Sequence, residues 1–284
     1  MRKPDKTLRV LVFNWCEARL RHMARTGHSF YLVPPYRNPH KNWHRNFWPL
    51  PENVVEVDWS SAEGGVRTGD YDVLLCQTLD DLTGTRTWEI PKLFAPLAMD
   101  DSASTGQSAL RAALHSSFED ISLVFDSEQK KRSWGLEGQL LRPGIDPDEF
   151  ASPTGETPAV LYFRTEMSHS LGYGQIEEAA LDSGLAAVLV DLDSERLDWE
   201  GVKESLRCHR VLFSPLPEVH SNSYQPFVLA AMAAGMPVVT TANICSPIVD
   251  GLNGFAASDY QYLHAKLQLL LSDQELAAEL GRNA

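Results

Sequence analysis

Short β-rich runs alternate with helical patterns along nearly the whole of this chain, and that alternation restricts the fold more than any other feature. Parallel strands need a crossover between them, so strand, helix, strand in steady succession is the mark of parallel α/β units. "RVLVF" (9–13) reads as a buried strand, "CEARLRHMART" as a helix closed by Gly27, and "SFYLV" as a second strand. "NVVEVDW", "YDVLLCQ", "IPKLFAPL" and "ISLVFDS" (121–127) supply four more, the last leading to a short helix that ends near Gly135. Six strands complete one doubly wound half. The stretch "LRPGIDPDEFASPTGETP" (141–158) then packs four prolines and two glycines into a segment without periodicity, as a domain connection would. Beyond it the alternation restarts through "AVLYF", "AAVLVDL", "RVLFSPL" and "MPVVTT", with helices expected at "GQIEEAAL", "DWEGVKESLRCH" and "PFVLAAMAAG". Two amphipathic helices in series, "YQYLHAKLQLLL" and "DQELAAELGRNA", close the chain. The expectation is an α/β protein of two Rossmann-like domains, residues 1–145 and a shortened 146–284, with a smaller second sheet of four or five strands. A ligand cleft is expected at the strand carboxyl ends.

The chain has 284 residues, more than one ordinary α/β core holds comfortably, which supports two domains. Its formal net charge of −13 opposes general affinity for nucleic acid or anionic lipid. The basic and aromatic stretch "RNPHKNWHRNFW" (37–48) reads as a solvated connection. Cys16, Cys76, Cys208 and Cys245 show no CxxC spacing and read as small buried hydrophobes in a reducing compartment. The first apolar run, "LRVLVFNW", is too short for a signal h-region or a membrane span, so a cytoplasmic chain with at most peripheral membrane contact is expected.

Two patches then narrow the reading. "AMAAGMPVV" (231–239) and "SPIVDGLNG" (246–254) stand in order and at the right separation to resemble the donor-site segment of retaining GT-B glycosyltransferases of family 4. Members of that family read E-G-F-G-x-x-x-x-E-A-M-A-x-G-x-P-V-V and then a loop ending I-V-x-D-G-x-N-G. Upstream, "LVFDSEQKKRSWGLEGQLLRPGIDPDEF" (123–150) is similar to the family's end-of-first-domain pattern. The resemblance implies the GT-B fold and transfer of a sugar from a nucleotide-sugar donor. In the family a helix N-terminus points at the donor diphosphate, two glutamates hold sugar and ribose, and an Arg and a Lys neutralise the leaving group. No metal and no bound cofactor is implied.

The chain departs from that pattern at several positions. The two family glutamates fall on Asn222 and Ala230, so neither carboxylate is present. The amide of Asn222 both donates and accepts, and Ser223, Tyr224 and Gln225 add polar groups to the same loop. Glu218, four residues off register, is a candidate substitute. Arg164 stands where the family has its Arg, with an ion pair to Glu166 or Asp191 as the alternative role, while the Lys position holds His169, Ser170 or Leu171. Ser246 opens the second patch and joins the donor-side candidates. The family's Gly-Gly loop after the first strand is replaced by "FNWCEARL", which carries Asn14. Its cleft histidine corresponds to Ala98 or Met99, beside a retained Asp100 whose plainer reading, with Asp101, is helix N-capping. Asn14 and Asp100 are the acceptor-side candidates. Ala230, the one small residue where the family keeps a carboxylate, is expected to line the ligand cleft.

Three functions follow from this. One is a retaining glycosyltransferase in which Arg164 and Asn222 serve the chemistry. Another is a catalytically silent GT-B protein that binds a glycan, nucleotide or partner enzyme. The third is a phage-type or nucleic-acid-base glycosyltransferase, which the acidic charge disfavours.

Overall fold

The computed structural model describes residues 6–35, 40–97, 121–150, 152–164, 184–192, 197–215, 226–242 and 246–284. They fall into two compact units, one within residues 1–143 and the other within 144–284.

The first unit is a seven-stranded parallel sheet. Its strands are β1 (Arg9–Phe13), β2 (Ser29–Val33), β3 (Val54–Glu56), β4 (Val73–Cys76), β5 (Lys92–Phe94), β6 (Ile121–Phe125) and β7 (Gln139–Leu140), in the order β3-β2-β1-β4-β5-β6-β7. All the pairings are parallel. Helices α1 (Glu17–Ala24), α2 (Trp59–Thr68), α3 (Leu79–Gly84) and α4 (Glu128–Trp134) connect them. Side-chain caps fix their starts. Asp58 accepts from Ser61 N, Ser127 accepts from Lys130 N, and Thr78 and Asp81 form a reciprocal capping box. Leu11, Phe13, Val33, Leu74, Cys76, Phe94, Phe125 and Trp134 make one core beneath the sheet. β7 is a seventh strand beyond the six expected. It is two exposed residues long and carries no apolar alternation from which to infer it.

The segment at 40–48 is not a solvated connection. Trp43, Phe47 and Trp48 are buried, Trp43 Nε1 donates to the Trp48 carbonyl at 2.8 Å, and the Arg21 guanidinium lies 5.1 Å over the Trp48 ring. His40, Asn42, His44, Arg45 and Asn46 face water. The aromatic residues supply enough apolar area to fold the segment down, and the basic ones remain outside. Of the cysteines, Cys76 is buried with its thiol pushed up to about 12 by desolvation, whereas Cys16 and Cys208 are partly exposed. Cys208 Sγ lies 3.0 Å from a Glu204 carboxylate oxygen. The expectation of small buried hydrophobes therefore holds for Cys76 alone among the described cysteines.

The second unit is a five-stranded parallel sheet of β8 (Thr157–Arg164), β9 (Ala187–Asp191), β10 (His209–Ser214), β11 (Val238–Thr241) and β12 (Gly254–Ala257), in the order β12-β11-β10-β8-β9. Helices α5 (Trp199–Cys208), α6 (Pro226–Ala233), α7 (Tyr260–Ser272) and α8 (Gln274–Arg282) accompany it, with Asp198, Asp259 and Asp273 capping α5, α7 and α8. Leu263, Leu267, Leu270, Ala277 and Leu280 of the last two helices seal one side against Val160, Val211, Phe213 and Val239. Gly235, after α6, has φ +71 and lets the chain turn back into β11. Gly254 is needed for a different reason: a Cβ there would stand 2.1 Å from the Val238 carbonyl oxygen.

Candidate functional site

In an open parallel sheet, ligands bind outside the strand carboxyl ends where the strand order reverses direction. In the second unit that reversal lies between β8 and β10. Arg164 is the last residue of β8. Its register partner on β9 is Asp191, and its guanidinium donates to the Asp191 carboxylate at 2.9 Å. Both side chains stay accessible, at 29% and 44%. The ion pair named as the alternative role of Arg164 is therefore present, with Asp191 as the partner.

One residue earlier, the ring of Phe163 meets Phe227 at 4.9 Å between centroids. Phe227 sits in the first turn of α6, so this contact brings the N-terminal end of α6 beside the carboxyl end of β8. A helix N-terminus presents unpaired N–H groups and a partial positive charge. A guanidinium and a helix start at one switch point form a setting suited to a diphosphate.

The inner face of α6 differs from expectation. Val228, Ala230, Ala231 and Ala234 are the buried positions, while Phe227, Leu229 and Met232 are half-buried. Ala230 is fully enclosed, which corrects the expectation that it lines an open cleft. Alanines on that face let α6 lie close against β10 and β11, and close approach is what small side chains allow.

The second patch is a braced turn. Ser246 Oγ accepts from Ile248 N at 3.2 Å, Asn253 Oδ1 accepts from Val249 N at 2.8 Å, and Asp250 Oδ1 accepts from Ala256 N at 3.0 Å. Tyr262 Oη donates to the Asp250 carboxylate at 3.1 Å. Gly251 carries positive φ, but Asn253 does not. Its amide ties the loop together instead. Asn222, Ser223, Tyr224, Gln225 and Asp100 lie outside the described residues, as do Ala98, Met99, Glu166, His169, Ser170, Leu171 and Glu218.

In the first unit the strand order reverses between β1 and β4. Asn14 follows β1 and Gln77 follows β4. Both are buried, at 2% and 3% exposure. Ladder bonds continue through both residues, from Asn14 N to the Val33 carbonyl and from Leu97 N to the Gln77 carbonyl. Asp81 sits beneath them, accepting from Trp15 Nε1 at 2.8 Å and from Gln77 N at 2.7 Å. Burial raises the Asp81 pKa against those hydrogen bonds. Burial likewise raises that of Glu17, which accepts from His44 N. Sequence reasoning missed Gln77. A lone Gln at a strand end carries no motif, and only the pairing of β1 with β4 places it next to Asn14.

Among the described residues no cluster of three or more metal-ligating side chains is found, and no helix is long and apolar enough to cross a membrane.

No protein-family model and no curated protein matches the chain in sequence. Solved structures do match in fold. A glycosyltransferase from Rickettsia africae aligns over 98% of this chain and 92% of its own, with a TM-score of 0.69 at 9% identity. HepE of Anabaena, solved in complex with UDP-glucose, aligns over 97% and 93%, with a TM-score of 0.65 at 12% identity. UGT2 of Phytolacca americana, solved with UDP-2-fluoro-glucose and pterostilbene, aligns over 98% and 93%, with a TM-score of 0.53 at 11% identity. The two parallel sheets together with this likeness define a GT-B fold built of two Rossmann-like units. At such identities the likeness establishes architecture, and the chemistry has to be argued from the residues.

Proposed function

We propose that this protein is a glycosyltransferase that moves a sugar from a nucleotide-diphosphate donor to a hydroxyl acceptor with retention at the anomeric carbon. The observation that carries the reading is that Arg164, at the end of β8, and the N-terminal turn of α6 both lie at the switch point of the second unit. In the reaction the anomeric C–O bond to the diphosphate breaks, and a bond to the acceptor oxygen forms on the same face. The acceptor proton passes to the departing diphosphate. Arg164 and the helix end stabilise the charge that grows on the leaving oxygen. Asn222, Ser223, Tyr224 and Gln225 take the place of the family's first glutamate and its loop, holding sugar hydroxyls through neutral hydrogen bonds. With a guanidinium and a helix dipole to neutralise charge, the reading requires neither metal nor cofactor. The acceptor is a glycan or small molecule, and the net charge of −13 disfavours nucleic acid.

Removing the guanidinium tests the reading. Arg164→Ala is expected to weaken UDP binding by about 1.5–3 kcal/mol, the scale of a hydrogen bond to a charged group. Unchanged affinity by titration calorimetry would leave Arg164 as no more than the partner of Asp191. A second reading, a GT-B protein that binds a ligand without turning it over, is favoured by the enclosure of Ala230 and by the Arg164–Asp191 pair. It is distinguished by UDP binding without release of UDP from any donor sugar.

A further inference from the structure

The motif that residues 222–239 resemble holds the nucleotide ribose through a carboxylate at the position of Ala230. Here that position is a methyl group with no exposed surface, so a ribose needs its acceptor elsewhere in the second unit. The strand ends supply one. β8, β9, β10, β11 and β12 close on Arg164, Asp191, Ser214, Thr241 and Ala257, so β9 alone ends in a carboxylate. Asp259, two residues beyond β12, is committed to the start of α7, where it accepts from Gln261 N at 2.8 Å.

Asp191 is fixed at the edge of the sheet. It is the register partner of Arg164, and the ladder runs on past both residues, from Leu192 N to the Arg164 carbonyl at 2.9 Å. By strand alternation Asp191 lies on the same side as Leu189 and Ala187, and Arg164 on the same side as Tyr162 and Val160. Those four residues pack in the core closed by α7 and α8, so the two charged side chains stand together above it at the carboxyl edge. Asp191 remains 44% accessible there. An ionised carboxylate has about four acceptor positions, so the bond from Arg164 does not close it to a ligand.

Position and chemistry together select that ligand. β8 is the first strand of the unit and β9, its neighbour in the sheet, is the second. In doubly wound units the phosphates of a nucleotide settle beyond the first strand, and an acidic side chain at the end of the second reaches the ribose. A phosphate cannot be the ligand of Asp191 itself, because both groups are negative and both accept. Two neighbouring hydroxyls suit it, since each donates. We propose that Asp191 holds the ribose 2′- and 3′-hydroxyls of a nucleoside diphosphate in place of the carboxylate absent at Ala230, while Arg164 beside it meets the diphosphate. The proposal rests on the transferase reading for its ligand. It adds the residue that makes the site prefer ribonucleotides to deoxyribonucleotides.

The test titrates the full-length protein by calorimetry with UDP and 2′-deoxy-UDP, and with ADP, GDP and their 2′-deoxy forms to cover the base. The wild type is expected to bind at least one ribonucleotide at least about tenfold more tightly than its deoxy form, the consequence of one hydrogen bond to a charged acceptor. In Asp191→Ala that ratio should fall to about one. The ratio is the readout because removing Asp191 also releases Arg164, which alters affinity for the diphosphate but acts equally on both members of a pair. Asp191→Leu, similar in shape and without acceptors, is the second variant should the first not fold. Equal binding of ribose and deoxyribose forms by the wild type overturns the proposal and leaves the transferase reading standing. A ratio that survives in the variants also overturns it, because the ribose contact then lies elsewhere. Binding of none of the six nucleotides overturns both. Discrimination that is lost in the variants, with no nucleoside diphosphate released from any donor sugar, upholds the role of Asp191 and defeats the transferase reading.

Discussion

Ala230→Glu places a carboxylate where the motif that this segment resembles has one, and the structure makes the expected result unfavourable. Ala230 has no exposed surface and faces inward on α6 with Val228, Ala231 and Ala234, against β10 and β11. A glutamate there adds four heavy atoms beyond Cβ to a closed layer, and overpacking of that kind costs about 1–3 kcal/mol. An ionised carboxylate enclosed without a partner adds about 3–5 kcal/mol, unless protonation relieves it. The sum is comparable to the whole stability of a typical domain, about 5–15 kcal/mol. Urea denaturation of the wild type, Ala230→Glu and Ala230→Ser separates the two contributions, because serine brings a polar atom with little added volume. The expected outcome is a glutamate variant that loses at least half of its unfolding free energy or is insoluble, and a serine variant close to wild type. A stable Ala230→Glu protein that binds UDP more tightly would refute the packing argument and show that α6 can open this position to a ribose.

Two further expectations concern the first unit. Lys130 is fully buried, and its ammonium donates to the Pro96 and Leu97 carbonyls and to Asp126 at 3.1, 2.8 and 2.8 Å. Lys130→Met should therefore destabilise the protein by about 3–5 kcal/mol, read from the denaturation midpoint, and a shift within experimental scatter would show that the carbonyls re-pair. Asp72, held to a pKa of about 2 by Arg9, contributes stability above its unfolded value and loses it as pH falls toward 2. The melting temperatures of wild type and Asp72→Asn should differ at pH 7 and converge near pH 2. A gap independent of pH would count against the linkage.

Apart from β7 and β12, the strands were legible because each is a short apolar run bounded by turn residues, and the doubly wound order follows from having strand and helix alternate. What the sequence hid was enclosure. Alignment with a motif put Ala230 at a ligand position, but only the packing of α6 shows that its alanines face the sheet. The segment at 40–48 misled for the opposite reason. Its charges suggested exposure, while Trp43, Phe47 and Trp48 decided its placement. Asn14 could be nominated because it follows β1. Gln77 is 63 residues further on, so their adjacency is a matter of sheet register and has no local sequence signal.

The two switch points differ in charge, and the difference bears on how work is divided between the units. The second unit offers a guanidinium and a helix start, which favour an anion, though Asp191 already holds Arg164 and a diphosphate must compete with it. The first unit offers two carboxamides beside two carboxyl groups whose pKa values are raised by burial, a setting that penalises an anion. Under the proposed transferase reading, a nucleotide diphosphate approaching a chain of net charge −13 therefore has more reason to settle on the second unit than on the first. Raising the salt concentration should accordingly weaken UDP binding, because contact with Arg164 depends on charge.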